Sequence, residues 1–400
     1  MTLESVGRAW NTFFFAPQRP TPIALYRIAY GMLVILDVLL LWPEWLTWFG
    51  PRGLQSIGTM HALAAGTRIN LFAALPETDA SANAIFWILL VSAVFVTTGF
   101  LTRLSSAVVF VGLTSLHQRN LFITNGGDSL LRVTGFFLIF APAGAALSID
   151  RLVRVWRGVE TVEVRPRAPW AQRMIQIEVA ALYLSSFWAK AQGPHWLDGT
   201  ATYYAFHLEQ LRRFPLPSWF LTPAIVRLST WLTLALEFSL GVLIWFKDLR
   251  YWILLSALLL HAFIEYSMNI PLFEWIMCSA FITFVYPEDL TRVWQRVRTW
   301  VAARLPAPMA VTYDSRDAKV RRTADVLRVL DIFGRLRFDE QGTTGGTSLL
   351  APRKTSPALV VSTPVGPRSG RSGIRYAVRA ALLFWPLALV RGAWAHSKQG

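Results

Sequence analysis

Apolar residues fall into long runs separated by short polar stretches, and the alternation continues from about residue 22 to residue 287. Eight runs are expected, at about 22–45, 84–101, 104–122, 130–149, 171–190, 222–246, 250–268 and 271–287. Each is close to the ~20 residues that a helix needs to cross a bilayer. Unpaired backbone amides are costly in lipid, so runs of this length predict helices. The chain therefore reads as an all-α polytopic membrane helical bundle of about eight transmembrane helices, residues 21–290, with a small C-terminal α/β cytoplasmic region. Residues 1–20 form a polar, aromatic lead-in at the membrane surface. Beyond 290 charges and prolines rise, and residues 291–400 form the cytoplasmic region. Within it, the Gly/Ser/Pro-rich stretch 341–374 reads as flexible. Residues 376–394 are apolar but contain Arg379, Pro386 and Arg391, which favours a surface-lying helix over a ninth span.

Composition supports the membrane assignment. Hydrophobic residues make up 54% of the 400 and charged residues only 16%, against about a quarter in soluble domains. The net charge of +15 would suit nucleic acid, but the basic residues sit mainly in loops and in the tail, so no nucleic-acid partner is expected. Arg103, the arginine-rich loop 150–173, Lys247 and Arg250 fall on one side of the alternating spans. Arg52, Arg68, Arg119, Arg212 and Arg213 fall on the other. The positive-inside rule then places both termini in the cytoplasm, in the cell inner (plasma) membrane. Cys278 is the single cysteine, so no disulfide or CxxC pair can form. The first apolar run is too long for a signal-peptide core, and no cleavable leader is expected.

The chemistry centres on Tyr183 to Tyr204, where an apolar run carrying Lys190 meets a short polar turn. Phe187, Trp188 and Trp196 surround Lys190 in sequence. A lysine among rings loses hydration, which favours the neutral amine and makes Lys190 a candidate general base. The alternative is a lysine snorkelling to the membrane surface beside an aromatic belt. Ionisable residues inside spans are expensive and tend to face a cavity or a partner. Here they are Arg27, Asp37, Arg132, Glu178, Glu237, His261, Glu265 and Glu274. Any one of them could be half of a buried structural pair, for instance Arg27 with a carboxylate. Together they predict a polar central cavity. His261 and Glu265 share one helix face at i,i+4, so Glu265 is the expected partner of the imidazole. Catalytic candidates are Lys190, His261 and Glu265. Substrate-binding candidates are Trp196, Asp198, Asp128, Asn125 and Glu237. Lys190, Trp196, Asp198 and His261 are expected to line one cavity near the outer face. No metal ligands are assigned.

Several separated pieces carry a resemblance. ALYRIAYG in the first span, WFGPRGL after it, NGGDSLLR before the fourth, LSID after it and K-x-x-G-x-x-W-x-D-G at 190–199 occur in this order. They resemble the HTTM domain, the bacterial relative of vitamin K-dependent gamma-carboxylase, over about residues 20–290. The resemblance implies a lysine base, Lys190, that deprotonates a reduced quinone such as vitamin K hydroquinone, so that oxygen and carbon dioxide can follow. His261 lies in LLLHAFIEYSMN, a stretch similar to one with a histidine in the carboxylase. The carboxylase's N-N-H-S stretch is similar to G-G-D-S here, and Asp128 stands in place of its histidine. The resemblance implies a carboxylase- or epoxidase-like membrane enzyme, and this departure leaves the carboxylation half of the chemistry open. In the tail, VTYDSRDAKVRRTADVLRVLDIFGRLRF resembles the start of the DCC family, which is similar to thiol-disulfide oxidoreductases. Asp317 and Val320 replace the two cysteines, which removes exchange chemistry and leaves a scaffold for docking a protein partner.

Three functions remain open on the sequence. One is a membrane enzyme acting on a lipid-soluble quinone or a membrane-presented substrate. Another is a non-catalytic module binding a membrane lipid or a partner protein. A transporter is the third, and the lack of an inverted repeat in the sequence argues against it.

Overall fold

The computed structural model describes residues 2–63, 70–120, 122–304, 308–341, 359–363 and 366–382. Two compact units divide the chain: residues 1–147 with 166–285, and residues 148–165 with 286–400.

The larger unit is helical. Among the described residues, four helices are long and apolar enough to cross a membrane: Thr21–Phe49, Asp79–Thr98, Pro223–Gly241 and Lys247–Ser267. They present apolar side chains outward; Trp87, Ile88, Leu232, Trp252 and Leu259 are all more than half exposed. Water disfavours such a surface and lipid accepts it, so the helices mark a membrane protein. The other expected runs also form helices, Thr102–Arg119, Gly126–Phe140 and Trp170–Ala191. Polar groups dilute their apolar character: His117, Gln118 and Arg119 close the first, and Gln172, Arg173, Gln176 and Lys190 punctuate the third. The last expected span is a shorter apolar helix, Phe273–Phe284, about 18 Å long at 1.5 Å per residue.

Local chemistry fixes the helix ends. Thr78 caps Asp79–Thr98 by accepting the Ser81 amide at 3.1 Å, and Gly99 ends it at φ +68°, where a side chain would be strained. Gly31 lets the Thr21–Leu41 helix approach Asp79–Thr98 closely, since an added Cβ would lie 2.8 Å from the Thr97 backbone nitrogen. Arg27 is fully buried. Its guanidinium donates to the carbonyls of Ala143 (2.8 Å) and Leu147 (2.5 Å) in the segment after Gly126–Phe140. The N-terminal lead-in is a helix, Leu3–Phe15, that buries Phe14 and exposes Trp10.

The smaller unit is α/β. Among the described residues its strands are β1 Met309–Asp314, β2 Leu336–Gln341, β3 Leu359–Thr363 and β4 Gly366–Ser369, in the order β2-β1-β3-β4. β1 and β2 are parallel, and β1–β3 and β3–β4 are antiparallel. The Ala318–Leu330 helix makes the crossover from β1 to β2, and Asp317 caps it by accepting the Lys319 amide at 2.8 Å. Val311, Tyr313, Leu327, Leu336 and Val361 form the core. The stretch expected to be flexible, 341–374, contains β3 and β4. The apolar Leu-Val-Val of β3 pairs with β1, and Val361 is fully buried. The rest of that stretch lies outside the described residues between 342 and 358 and at 364–365. The expected surface helix 376–394 is described only to 382, within Gly370–Leu382, where Ala377 is buried. The basic loop contributes the Ile149–Trp156 helix, which packs on Ala318–Leu330. Nothing in the sequence pattern assigned it to this unit.

Candidate functional site

The Trp170–Ala191 helix, within which Tyr183, Ser186 and Lys190 stand at i, i+3 and i+7, presents these three side chains on one face. It packs against Pro223–Gly241, which supplies Glu237. Pro223–Gly241 packs on Lys247–Ser267, which supplies His261, and that helix packs on Phe273–Ala280, which supplies Glu274. A cavity of about 720 Å³ opens between them, lined by Lys190, Trp196, Glu237, His261, Tyr183 and many apolar side chains. That volume suits a drug-sized or lipid-sized ligand.

Two hydrogen-bonded groups stand in its wall. In one, the Lys190 ammonium contacts Oε1 of Glu237 in an ion pair. Lys190 Nζ also donates to Ser186 Oγ at 2.9 Å, and Ser186 Oγ donates to the same Glu237 oxygen at 3.2 Å. The second Glu237 oxygen is buried without a partner among the described residues. In the other group, His261 Nδ1 meets Glu274 Oε2 in a close contact, and Nε2 lies 2.6 Å from the Tyr183 hydroxyl. With Nδ1–H donating to the carboxylate, Nε2 accepts from the tyrosine. Both His261 and Glu274 are almost fully buried.

The sequence expectations divide. Lys190, Trp196, Glu237 and His261 line one cavity. Asp198, Glu265, Asn125 and Asp128 are not among its lining residues. Glu265 does not hold His261; it is ion-paired with Arg213, whose backbone amide bonds the Ser267 carbonyl. One helix face does bring positions i and i+4 together, but Glu274 on the next helix reaches the imidazole instead. Asp198 is exposed and closes its own turn, accepting from the Thr200 hydroxyl at 2.5 Å and the Thr200 amide at 2.9 Å. The hydroxyl bond, then the amide bond, hold its carboxyl below the usual carboxylate range. Asn125 and Asp128 form the capping box of Gly126–Phe140: Asn125 accepts from the Gly127 amide at 2.7 Å, and Asp128 from the Asn125 amide at 2.6 Å. Nor do three rings enclose Lys190. The Trp196 ring centroid is 5.2 Å from its amine, whereas Trp188 is exposed and Phe187 packs at a tilt against Phe238.

The family model of the HTTM domain matches residues 15–289, which is more than half of the chain and contains every residue of the cavity. The chain belongs to the HTTM family. It is also similar to the uncharacterized protein YitO of Bacillus subtilis (strain 168), with 27% identity over 216 residues covering 52% of this chain and 69% of that one. No solved structure matches the chain. The cavity is thus a feature of the HTTM domain and not of the α/β unit. Within the HTTM domain, sequence reasoning missed Tyr183, Ser186 and Glu274 as site residues. The first two carried a signal, their spacing from Lys190 on one helix face. The third carried none beyond being an acid in an apolar run.

Proposed function

We propose that this HTTM protein is a membrane enzyme that binds a quinol-type lipid, or a membrane-presented substrate with an acidic hydroxyl, in the cavity beside Lys190. The observation that carries the reading is an apolar cavity whose wall holds the Lys190–Glu237 pair, with one Glu237 oxygen buried and unpartnered. An unpartnered buried carboxylate oxygen is costly, and a hydroxyl donor would satisfy it. A reduced quinone head group fits this demand, and when bound it would supply an acidic hydroxyl and reducing equivalents. Glu237 accepts the hydroxyl proton, and the Lys190 ammonium, held by Ser186, stabilises the anion left beside it. Lys190 thereby acts together with Glu237 and not as an isolated neutral amine. The His261–Glu274–Tyr183 chain provides a second proton path in the same wall. We place the protein in the plasma membrane with eight spans and cytoplasmic termini, on the charge alternation of its loops. The α/β unit, which has no cysteine, is a scaffold for a partner protein in this reading.

The test uses the purified full chain in detergent and a tailed naphthol whose absorbance reports ionisation. Saturable binding with a phenolate-like spectrum is expected for the wild type, and Lys190→Ala and Glu237→Gln should bind the neutral form. Equal ionisation in all three proteins would discard the base assignment. A non-catalytic lipid-binding module is the second reading, favoured by the predominantly apolar lining. It would show phospholipid co-purifying equally with wild type and Lys190→Ala, and no ionisation of the probe.

A further inference from the structure

Asp37, His117 and Asp128 come together away from the large cavity, on three different helices. Asp37 is near the end of Thr21–Leu41, His117 near the end of Thr102–Arg119, and Asp128 in the first turn of Gly126–Phe140. One carboxylate oxygen of each aspartate and one ring nitrogen of His117 lie within 4.8 Å of one another. None of the three lines the cavity that holds Lys190.

Charge and spacing both point to a ligand. Two carboxylates this close, in a unit this apolar, repel strongly unless one takes a proton or a positive species lies between them. Arg132 is near enough for its charge to act on His117 and Asp128, but among the ion pairs of the described residues it joins neither aspartate. A shared proton would draw the groups to hydrogen-bond distance, about 2.5–3.2 Å. Among the described residues no hydrogen bond joins any two of them. His117 is only 6% exposed, and its Nδ1 has no partner among the described residues. A buried imidazole normally satisfies at least one nitrogen. Two ligand atoms each ~2.1 Å from one ion stand at most ~4.2 Å apart, so small side-chain adjustments seat an ion.

We propose that Asp37, His117 and Asp128 form a binding site for a divalent first-row transition ion of the zinc type. One imidazole and two carboxylates suit zinc or manganese. Calcium would require six to eight oxygens, which this group does not offer. The ion neutralises both aspartates and ties three helices together at their ends. Asp128 serves the ion through the oxygen that the capping bond to Asn125 leaves over.

The experiment uses the full chain in detergent, stripped with a chelator and titrated with Co²⁺ alone, then with Zn²⁺. The expected result is a visible Co²⁺ absorption band saturating at about one equivalent, displaced by Zn²⁺. Thermal stability should rise by several degrees on adding Zn²⁺, as it does when a ligand binds only the folded state. Asp37→Asn and His117→Gln should each weaken Co²⁺ binding about tenfold or more, while His195→Gln, a change in an exposed histidine, should leave it intact. A stripped wild type that takes up neither ion at about 100 μM overturns the proposal without recourse to any variant. Wild-type stoichiometry and spectrum in Asp37→Asn, a near-isosteric change at a half-buried position, overturn it as well. Both outcomes are independent of whether Lys190 acts on a quinol.

Discussion

Lys190 and Glu237 share a wall that is otherwise largely apolar, so each is the main reason the other is tolerated there. Glu237 is the more buried of the two, with its side chain 7% exposed against 28% for Lys190. Removing Lys190 strands a buried carboxylate, whereas removing both charges removes the conflict. Lys190→Met alone should therefore destabilise the detergent-solubilised protein by about 1–3 kcal/mol, below the cost for a fully buried pair because Lys190 keeps some solvent. The double variant Lys190→Met/Glu237→Leu should recover most of that loss. Thermal unfolding of the three proteins measures the difference, and additive losses would mean the ion pair does not stabilise the fold. Lys190 and Glu237 were each legible in the sequence as ionisable residues in apolar runs. Their pairing was not, because 47 residues separate them and only helix packing closes that gap.

At the scale of elements, a single arginine ties the first long helix to the backbone beyond Gly126–Phe140. Arg27 donates to the carbonyls of Ala143 and Leu147, with longer contacts to those of Ala146 and Thr97. Carbonyls past a helix end need donors, and a planar guanidinium can serve several at once. Arg27→Met should leave them unsatisfied and cost about 3 kcal/mol or more. Arg27→Lys should rescue little, since one ammonium cannot span the same fork. A Tm for Arg27→Met within a degree of the wild type would show that other donors replace it. The sequence marked Arg27 as costly and therefore paired. It gave no means of telling which backbone carbonyls the guanidinium would reach, because carbonyls carry no sequence signature.

For the whole molecule, the composition of the smaller unit constrains topology. Residues 148–165 and the described part of 286–382 belong to one compact unit, which predicts that they share one side of a membrane. The chain between them must then cross an even number of times. Of the helices in between, Pro223–Gly241 and Lys247–Ser267 are long and apolar enough to cross, and the proposed eight-span topology adds Trp170–Ala191 and Phe273–Phe284, which keeps the count even. Reporter fusions at about 160 and 300 should both read cytoplasmic, and fusions at about 60 and 205 should read external, by the positive-inside rule. Opposite readings at 160 and 300 would contradict the shared unit. Both reading external would invert the orientation and leave the unit intact.

The sequence alone determined what depends on local pattern. Helices follow from apolar runs, because a backbone in lipid has no other way to satisfy its amides. The NGGDS stretch was visible as a polar loop before an apolar helix. Residues 291–400 contain no cysteine, which excludes thiol exchange within that stretch. Tertiary structure decided everything that depends on which faces meet. It gave His261 to Glu274 and Glu265 to Arg213, although His261 and Glu265 sit one turn apart on the same helix. A one-turn spacing permits a contact, but competing partners on neighbouring elements choose whether it forms. It also turned Asn125 and Asp128 to the end of their own helix, brought Asp128 beside Asp37 and His117, and joined the arginine-rich loop to a sheet that begins about 150 residues later. Such long-range choices rest on packing geometry, which a one-dimensional pattern of polar and apolar residues does not encode.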